Sequence, residues 1–356
     1  VIFQNFKTPF QSVYEAFERM HYVLWTRVGK FIIRMILILW FVYMNKGLES
    51  ILIIYALVEF GMIFVDFWIY NKYIGKLTFS PRKKTWIKLM KQSIPFGVAG
   101  VFMTIYDKID VTMISMFVSN PDTAIGFYSS AYELMSSLGF IAMAISGALA
   151  PIAFIAFTNN KEKLKKIYSG TFKLFMALGI PIAVGGTILA GKIIGLIYGA
   201  DYSGSVIAFQ ILVWAVIFNF EMFAFGLALN SMNLEKETMK ATFYSVVFNV
   251  VANLIFIPIY GYLAAAFTTV GSVFVYFAYC YYITQKKLMK INLLKVLFPI
   301  IISALVMGAS LLLLSNLHVL FLIPIGFIVY SAMIYFTKGI DFEAAKKLYF
   351  ELVKKN

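Results

Sequence analysis

The chain has 356 residues, of which 61% are apolar and only 13% are charged, and its formal net charge is +14. Soluble domains are about 45–50% apolar and about 25% charged, so this composition excludes an ordinary soluble enzyme. A single cysteine excludes a disulfide framework and a multi-thiolate zinc site, and two histidines leave little for metal or triad chemistry.

Long apolar stretches follow one another along the chain. A membrane-spanning helix needs about 20 apolar residues. About ten stretches qualify, at 25–45, 49–70, 94–118, 123–157, 168–198, 204–230, 238–257, 261–284, 293–315 and 317–337. Pro151 and Pro181 fall inside the two longest stretches, where we expect a kink or a break. The sequence therefore predicts an all-α, polytopic membrane bundle of about 10 transmembrane helices.

Basic residues mark one side of this predicted bundle. Nearly all of the 31 lysines and arginines lie before the first helix or in its opening turns, in every second connection, or in the C-terminal tail. Because basic loops stay in the cytoplasm, this pattern predicts a multi-pass protein of the cytoplasmic (inner) cell membrane with both ends of the chain cytoplasmic. Arg27, Lys30 and Arg34 share one face of the first helix and are candidates for binding lipid headgroups. No nucleic-acid recognition motif accompanies the basic charge, which disfavours a nucleic-acid partner.

The longest basic connection, residues 71–93, mixes apolar side chains such as Trp86 and Leu89 with lysines. This mixture fits either an amphipathic helix lying at the membrane interface or a solvated basic linker. The connections on the other side are short, at 118–122, 199–203, 258–262 and 315–318. They leave no room for a large loop with catalytic groups.

Charged residues within the spans are the most informative for function. Helix 94–118 carries Asp107, Lys108 and Asp110, each of which costs about 2.5–3.5 kcal/mol at the bilayer centre. At about 100° per residue, the polar positions of this helix share an arc of about 160°. They are Gly100, Thr104, Asp107, Lys108, Asp110 and Ser115. Such a wide arc has to face protein or a water-filled cavity.

The following helix carries Glu133 at a similar depth, with serines around it at helical spacing: Ser129, Ser130, Ser136 and Ser137. Two interpretations are open. Lys108 could form an internal ion pair with one of the carboxylates and only stabilise the bundle. Alternatively, these groups could line a hydrophilic translocation cavity, because ionisable groups within a membrane are usually functional.

Under the second interpretation, some of the carboxylates could couple transport to an ion. The candidates are Asp107, Asp110, Glu133 and, on helix 49–70, Glu59. Asp66 and Glu221 lie nearer the cytoplasmic ends of their helices, where snorkelling to the interface would explain them equally well.

Enzymatic chemistry finds little support. The chain has no GxSxG, HExxH or GxxxxGK[ST] motif. Asp107 and Asp110 could suit a divalent ion, but Lys108 would repel it and no histidine lies near. We therefore predict no catalytic residue, no metal and no cofactor.

Five motifs occur in order between residues 94 and 270. The sequence reads IPFG at 94–97 with YDKID at 106–110 and MIS at 113–115, and GFYSSAY at 126–132. It continues with IGLIYG at 194–199, LNSM at 229–232 and NVVANLIFIPIYGYLAAAFTT at 249–269. In these motifs the chain resembles the Wzx-type oligosaccharide flippases (polysaccharide biosynthesis proteins) of the MOP superfamily.

This resemblance implies a fold of two six-helix bundles, with two further helices at the C-terminus. The chain would then be N-terminally truncated and would hold the last 10 of 14 helices. Residues 1–92 would be the remnant of the first bundle with the basic linker, 93–285 the second bundle, and 286–356 the two additional helices and a basic tail. Glu133 departs from the family, which often has a basic residue there, and Tyr262-Leu263-Ala264 replaces a turn that contains glycine.

The resemblance also implies a function. A transporter of this family would flip a polyprenyl-diphosphate-linked oligosaccharide from the cytoplasmic to the outer leaflet by alternating access, coupled to an ion or to the membrane potential. Lys108 would attract the diphosphate or the glycan, and polysaccharide-assembly enzymes would be partners. The alternatives are a cation-coupled multidrug exporter of the same superfamily, a membrane enzyme acting on lipid-linked sugars, and a scaffold that transports nothing.

Overall fold

A computed structural model describes residues 8–14, 17, 19–76, 86–87, 89–90, 93–94, 108–159, 161–337 and 339. Within these ranges the regular structure is helical, and no strand occurs. The chain forms two compact units, Val1–Phe96 and Gly97–Asn356. The predicted division into three parts stays a prediction.

The first unit contains a pair of helices, α1 (Met20–Tyr43) and α2 (Leu48–Tyr73). They pack through a small apolar cluster in which Ile54, Val58 and Met62 are buried. The chain reverses between them through Asn45, which has a φ of 53°. Most of the basic connection at 71–93 lies outside the described residues, so its predicted interfacial helix stays a prediction.

The second unit begins, within the described residues, with a helical segment at 108–117. The helices that follow are α3 (Pro121–Ser137), α4 (Gly139–Asn159), α5 (Lys161–Ile197), α6 (Ser205–Leu212), α7 (Ala215–Ser231), α8 (Glu235–Tyr260), α9 (Tyr262–Lys287), α10 (Leu293–Leu313) and α11 (Val319–Phe336). A short 3₁₀ helix, Ala200–Tyr202, lies between α5 and α6.

Eight helical stretches of the described chain are long and apolar enough to cross a membrane. Six of them are single helices: α2, α5, α8, α9, α10 and α11. The other two are Pro121–Ala150, which combines α3 with part of α4, and Ser205–Ser231, which combines α6 with α7. The protein is therefore an all-α, multi-pass membrane protein. The count of ten stays a prediction, because α1 carries three cations and most of 94–118 lies outside the described residues.

The connections of the second unit are very short at one end of the bundle. We call it the short-turn end, with residues 118–120, 198–204, 261 and 314–318. Gly261 alone joins α8 to α9, and its φ of 62° is one that favours glycine. At the opposite end α4 meets α5, α7 meets α8 and α9 meets α10. We call this the lysine end, after Lys161, Lys163, Lys165, Lys166, Lys236, Lys240, Lys286, Lys287 and Lys290.

The two longest predicted spans are not broken at their prolines. The stretch predicted at 123–157 is interrupted at Leu138, and Pro151 lies within α4. Pro181 lies inside α5, which continues through it to Ile197. A proline at 181 has no N–H for the Ala177 carbonyl, four residues earlier. The Tyr330 hydroxyl on α11 donates to that carbonyl at 2.6 Å and so replaces the missing helical bond.

Aromatic side chains fill the core of the second unit around α5 and α7. Phe172, Phe175, Phe220 and Phe225 are all 0% exposed. Helices α10 and α11 pack on α5 as part of the same core. At the short-turn end, Lys192 of α5 donates to the carbonyls of Ser315 and Leu317, each at 2.5 Å. These contacts fix the last two helices to the bundle.

Candidate functional site

A cluster of polar side chains surrounds the carboxylate of Asp110 inside the second unit. The Tyr128 hydroxyl donates to Asp110 Oδ2 at 2.6 Å, and Thr269 Oγ1 donates to the same oxygen at 2.9 Å. Asn253 Nδ2 donates to the other oxygen, Oδ1, at 2.5 Å. Asp110 thus accepts hydrogen bonds from α3, α8 and α9, and it joins the 108–117 segment to all three.

Helices α8 and α9 supply a second layer of polar contacts behind these donors. Asn253 Nδ2 also donates to Asn249 Oδ1 at 3.1 Å, and the Thr268 hydroxyl donates to Asn253 Oδ1. All three of these side chains are buried. The sequence places them together: Asn249 and Asn253 are four residues apart on one face of α8. The single-residue connection at Gly261 then brings Thr268 and Thr269 opposite Asn253.

The 108–117 segment presents two different polar faces. Asp110 shares its face with the buried side chains of Met113 and Ile114, so its carboxylate enters the bundle. Lys108 and Ser115 are exposed on the other side, where the Ser115 hydroxyl donates only to a backbone carbonyl within the segment. The polar side chains that were predicted to share one arc therefore lie on two different sides of the segment. Thr104 and Asp107, which were predicted to share it, lie outside the described residues.

Helix α3 is divided in the same way. Tyr128, Ala131 and Met135 are buried. Glu133 and Ser136 are exposed, and Ser129 is partly exposed on the same side of the helix. Glu133 therefore does not join the Asp110 cluster, and Ser136 donates only to the Glu133 backbone carbonyl, at 3.1 Å.

The ion pair considered from the sequence does not form between the described groups. Within the described part of the chain, no ion pair links Lys108 to Asp110 or to Glu133. The ammonium group of Lys108 is exposed, on the opposite side of its segment from the Asp110 carboxylate. This leaves Lys108 accessible to an anion.

The cluster offers oxygen ligands around a single carboxylate. Hydrogen bonds to a charged group contribute about 1.5–3 kcal/mol each, so three donors offset much of the cost of burying Asp110 as an anion. Besides Asp110, the cluster has the amide oxygens of Asn249 and Asn253 and the hydroxyls of Thr268 and Thr269. Hard cations prefer such oxygens, and one carboxylate balances one positive charge. The residues therefore suit a proton or a monovalent hard cation.

The described residues do not provide the several carboxylate, imidazole or thiolate ligands that a divalent or soft metal ion prefers. In the regions that the structure describes, no group of three or more His, Cys, Asp or Glu side chains lies close enough to hold a metal ion. Amide and hydroxyl oxygens, rather than several carboxylates, dominate the Asp110 cluster.

In the first unit, Glu59 holds two of the predicted headgroup-binding cations. Lys30 Nζ lies 2.9 Å from Glu59 Oε1, and Arg34 Nη1 lies 3.9 Å from the same oxygen. The guanidinium of Arg34 also lies 4.4 Å from the centre of the Tyr55 ring. Arg27 is exposed on the same helix. Glu59 thus contacts two of the three predicted cations, and the third, Arg27, is exposed.

Two carboxylates lie deeper than the sequence suggested. Asp66 and Glu221 are both 0% exposed, which disfavours snorkelling, one of the two explanations that the sequence left open for them. Snorkelling requires a side chain that reaches the helix end, and a carboxylate has a shorter stem than lysine or arginine.

Several residues of the Asp110 cluster were absent from the predicted site. They are Tyr128, Asn249, Asn253, Thr268 and Thr269. A signal for them exists, because two asparagines four residues apart and a Thr-Thr pair interrupt otherwise apolar spans on either side of Gly261, with Asn253 and Thr269 each eight residues from it. The spacing alone does not show that both pairs face Asp110, which lies more than a hundred residues earlier in the chain.

Comparison with known proteins gives matches in sequence and in fold. The sequence profile of the family described as polysaccharide biosynthesis protein matches residues 3–157. The chain is 24% identical over 232 residues to the probable low-salt glycan biosynthesis flippase Agl15 of Haloferax volcanii, which covers 64% of this chain and 48% of that protein. It is also 24% identical over 236 residues to the probable flippase AglR of the same organism, covering 65% of this chain and 48% of that protein.

Among solved structures, the chain is similar to the lipid II flippase MurJ in an inward closed conformation. The TM-score is 0.67 with 18% sequence identity, and the match covers 82% of this chain and 62% of that one. The chain is thus similar in sequence to polysaccharide biosynthesis proteins over residues 3–157, and similar in fold to a lipid II flippase. The chain spans about half the length of the curated relatives it matches. The resemblance drawn from the five motifs is thereby confirmed.

Proposed function

We propose that this protein acts in flipping a polyprenyl-diphosphate-linked oligosaccharide from the cytoplasmic to the outer leaflet of the cell membrane. The observation that carries the proposal is the match to two archaeal flippases over about two thirds of the chain. The substrate is moved without covalent change, by alternating access. Enzymes that assemble the polysaccharide would supply the lipid-linked glycan and would be its functional partners.

The lysine end of the second unit faces the cytoplasm in this proposal, and both ends of the chain are cytoplasmic. The support is the concentration of lysines at that end, because basic connections are retained on the cytoplasmic side. The short-turn end then faces outward. Arg27, Lys30 and Arg34 of the first unit attract anionic headgroups, with Glu59 fixing the positions of two of them.

The exposed polar face of the second unit contacts the substrate. Lys108 attracts the diphosphate, which is a compact anion that an accessible ammonium binds well. Hydrogen-bonding groups for sugar hydroxyls are provided by Ser115 on the same segment and by Ser129, Glu133 and Ser136 on α3. Thr104 and Asp107 complete this set in the proposal, on the basis of sequence spacing.

The Asp110 cluster couples transport to an ion in this proposal. A proton or a sodium ion on Asp110 would neutralise the charge that now holds the Tyr128 and Thr269 hydroxyls and the Asn253 amide. These donors could then change partners, which would loosen the 108–117 segment from α3, α8 and α9. Ion binding would in this way bias the segment that carries Lys108. Glu133, Glu59 and Asp107 remain candidates for coupling from the sequence.

A flipping assay tests the proposal. Vesicles reconstituted with the protein receive a fluorescent polyprenyl-diphosphate oligosaccharide, and a membrane-impermeant quencher reports its leaflet. We expect Lys108→Ala to slow flipping by about tenfold or more, which corresponds to the loss of about 1.4 kcal/mol of binding. Lys173→Ala removes another exposed lysine, on α5, and should leave the rate unchanged.

The same assay tests the coupling site. Asp110→Asn should abolish the dependence of the flipping rate on a sodium or pH gradient. Wild-type rates in both Asp110→Asn and Lys108→Ala would show that the assigned residues are wrong. Transport of an amphipathic cation in place of the glycan would favour a multidrug exporter, and covalent change of the glycan would favour a membrane enzyme.

A further inference from the structure

Glu221 lies on α7 in the interior of the second unit and shares no hydrogen bond with the Asp110 cluster. Its side chain is 0% exposed. In the part of the chain that the structure describes, neither Oε1 nor Oε2 has a hydrogen-bond partner, and no ion pair involves Glu221. At about 1.5 Å per residue, it lies about 15 Å from Ser231 at the lysine end.

The surroundings of Glu221 are apolar. One turn further along α7, the Phe225 ring packs against Tyr168 and Phe172 of α5, with centroids 6.3 Å and 6.2 Å apart. The same ring lies 5.6 Å from Phe277 of α9. Helix α4, which also packs against α7, has no titratable side chain along its whole length.

Among the described residues, no cation pairs with Glu221 from the helices packed against α7. The titratable groups of α5 and α9 nearest this level are neutral: Tyr168, whose hydroxyl donates to Thr284 at 3.0 Å, and Tyr276, Cys280 and Tyr281. The charged groups of these neighbouring helices lie away from it. Lys173 of α5 and Glu133 of α3 are exposed, and Glu237 of α8 is engaged with Lys240 and Lys287 at the lysine end.

Two further oxygens without partners lie on the helices that enclose Glu221. They are Asn230 Oδ1, nearer the lysine end of α7, and Ser146 Oγ on α4. Buried polar groups of this kind are stabilised by water when a path for it opens. Asn230, one residue from the end of α7, marks the lysine end as the side from which water would reach Glu221.

An ionised carboxylate that has neither water nor a partner is so unfavourable that the group takes up a proton instead. We propose that Glu221 is a proton-binding site that is occupied in this conformation. The carboxyl O–H transfers its proton to water only when α7 separates from α4 and α5 enough for water to enter. Proton binding therefore favours the closed packing, and high pH favours an open one. This inference does not depend on the identity of the transported substrate.

Infrared difference spectroscopy of the intact protein tests the occupancy directly. At neutral pH the wild type should show a carbonyl stretch of a protonated carboxyl group in an apolar environment. Glu221→Gln should remove this band, because glutamine has the shape of the protonated acid but no carboxyl group. Glu133→Gln, which alters an exposed carboxylate, should leave the band in place. A wild-type spectrum without such a band at neutral pH would overturn the proposal, whether or not the variant folds.

Thermal unfolding in detergent tests the linkage to conformation. The midpoint of the wild type should fall as the pH is raised from neutral into the alkaline range, because ionised Glu221 is tolerated only in opened states. The Glu221→Gln midpoint should change less over the same range, whereas Glu133→Gln should follow the wild type. Identical pH profiles for the wild type and Glu221→Gln would contradict a proton on Glu221.

Discussion

At the scale of single residues, the second unit separates charges that the sequence places side by side. Lys108 and Asp110 are two residues apart, yet the ammonium is exposed and the carboxylate enters the bundle. A carboxylate in this position needs donors, and Tyr128, Thr269 and Asn253 supply them. Among the described residues, the three donors hold Asp110 without an ion-paired cation, and Lys108 is exposed.

Removing one of the three donors measures how much the hydrogen bonds to Asp110 contribute to the stability of the protein. Tyr128→Phe deletes the hydroxyl that donates to Asp110 and leaves a partly buried carboxylate short of one hydrogen bond. We expect the free energy of unfolding to fall by about 1.5–3 kcal/mol, the range for a hydrogen bond to a charged group. Thermal melting in detergent measures the change. Tyr282→Phe, on an exposed face of α9, should melt like the wild type, and equal melting of both variants would contradict the role given to Tyr128.

At the scale of elements, the α8–α9 hairpin depends on a one-residue connection. Gly261 has a φ of 62° and a ψ of −145°, a region that residues with a side chain rarely adopt. This backbone brings Asn253 and Thr268 to the same level on the two helices. The hairpin is fixed at its other end by Glu237, whose Oε1 and Oε2 accept from Lys287 at 3.0 Å and from Tyr279 at 2.8 Å.

Substitution of Gly261 should therefore lower the stability of the protein through the backbone conformation rather than through a steric clash. The nearest atom to an added Cβ would be Val118 Cγ2 at 3.9 Å, so Gly261→Ala meets no steric obstacle. We expect it to destabilise the protein by about 1–3 kcal/mol through backbone strain alone. Gly147→Ala on α4 also meets nothing within 4 Å and should be neutral or stabilising, since alanine favours a helix. Similar melting temperatures for the two variants would exclude strain at Gly261.

At the scale of the whole molecule, α11 is attached to the bundle through a defect in α5. Pro181 cannot donate to the Ala177 carbonyl, and the hydroxyl of Tyr330 occupies the vacant position. The last two helices thus complete the hydrogen bonding of an otherwise interrupted span. Lys192, which donates to two carbonyls beyond the end of α10, fixes the same pair of helices at the short-turn end.

A double-mutant cycle tests this attachment. Tyr330→Phe leaves the buried Ala177 carbonyl without its donor and should cost about 1–3 kcal/mol. In a Pro181→Ala background the restored N–H supplies that donor, so the same substitution should cost clearly less. Unfolding of the four variants in denaturant gives the coupling energy. Equal costs of Tyr330→Phe in both backgrounds would show that the contact is incidental.

The sequence predicts the class of fold well, because about 20 apolar residues in succession are sufficient for a spanning helix. Interruptions were harder to predict. Pro151 and Pro181 suggested kinks or breaks in the two longest spans. Instead, the first of these spans is interrupted at Leu138. The second runs through Pro181, because Tyr330 on α11 donates to the Ala177 carbonyl that the proline leaves free. Such compensation comes from a residue more than a hundred positions away, and no local pattern contains it.

The candidate site, like the fold, could be predicted only in part from the sequence. Asp110 could be recognised from its charge within an apolar span. Its partners on α8 and α9 could not, because their proximity depends on helix packing. Glu221 shows the converse: its distance from the helix end left snorkelling open as an explanation, but the packing of α4, α5 and α9 against α7 encloses it completely. Burial is a property of neighbours, and a single helix does not reveal it.

The hairpin of α8 and α9 also has a consequence for how the protein is made. Asn249 and Asn253 are poorly suited to enter lipid one helix at a time during synthesis. Because one glycine separates α8 from α9, the Thr268 hydroxyl is available to Asn253 as soon as the second helix emerges. The two helices can therefore leave the insertion machinery as a pair whose amides are already shielded, before α10 and α11 have been translated.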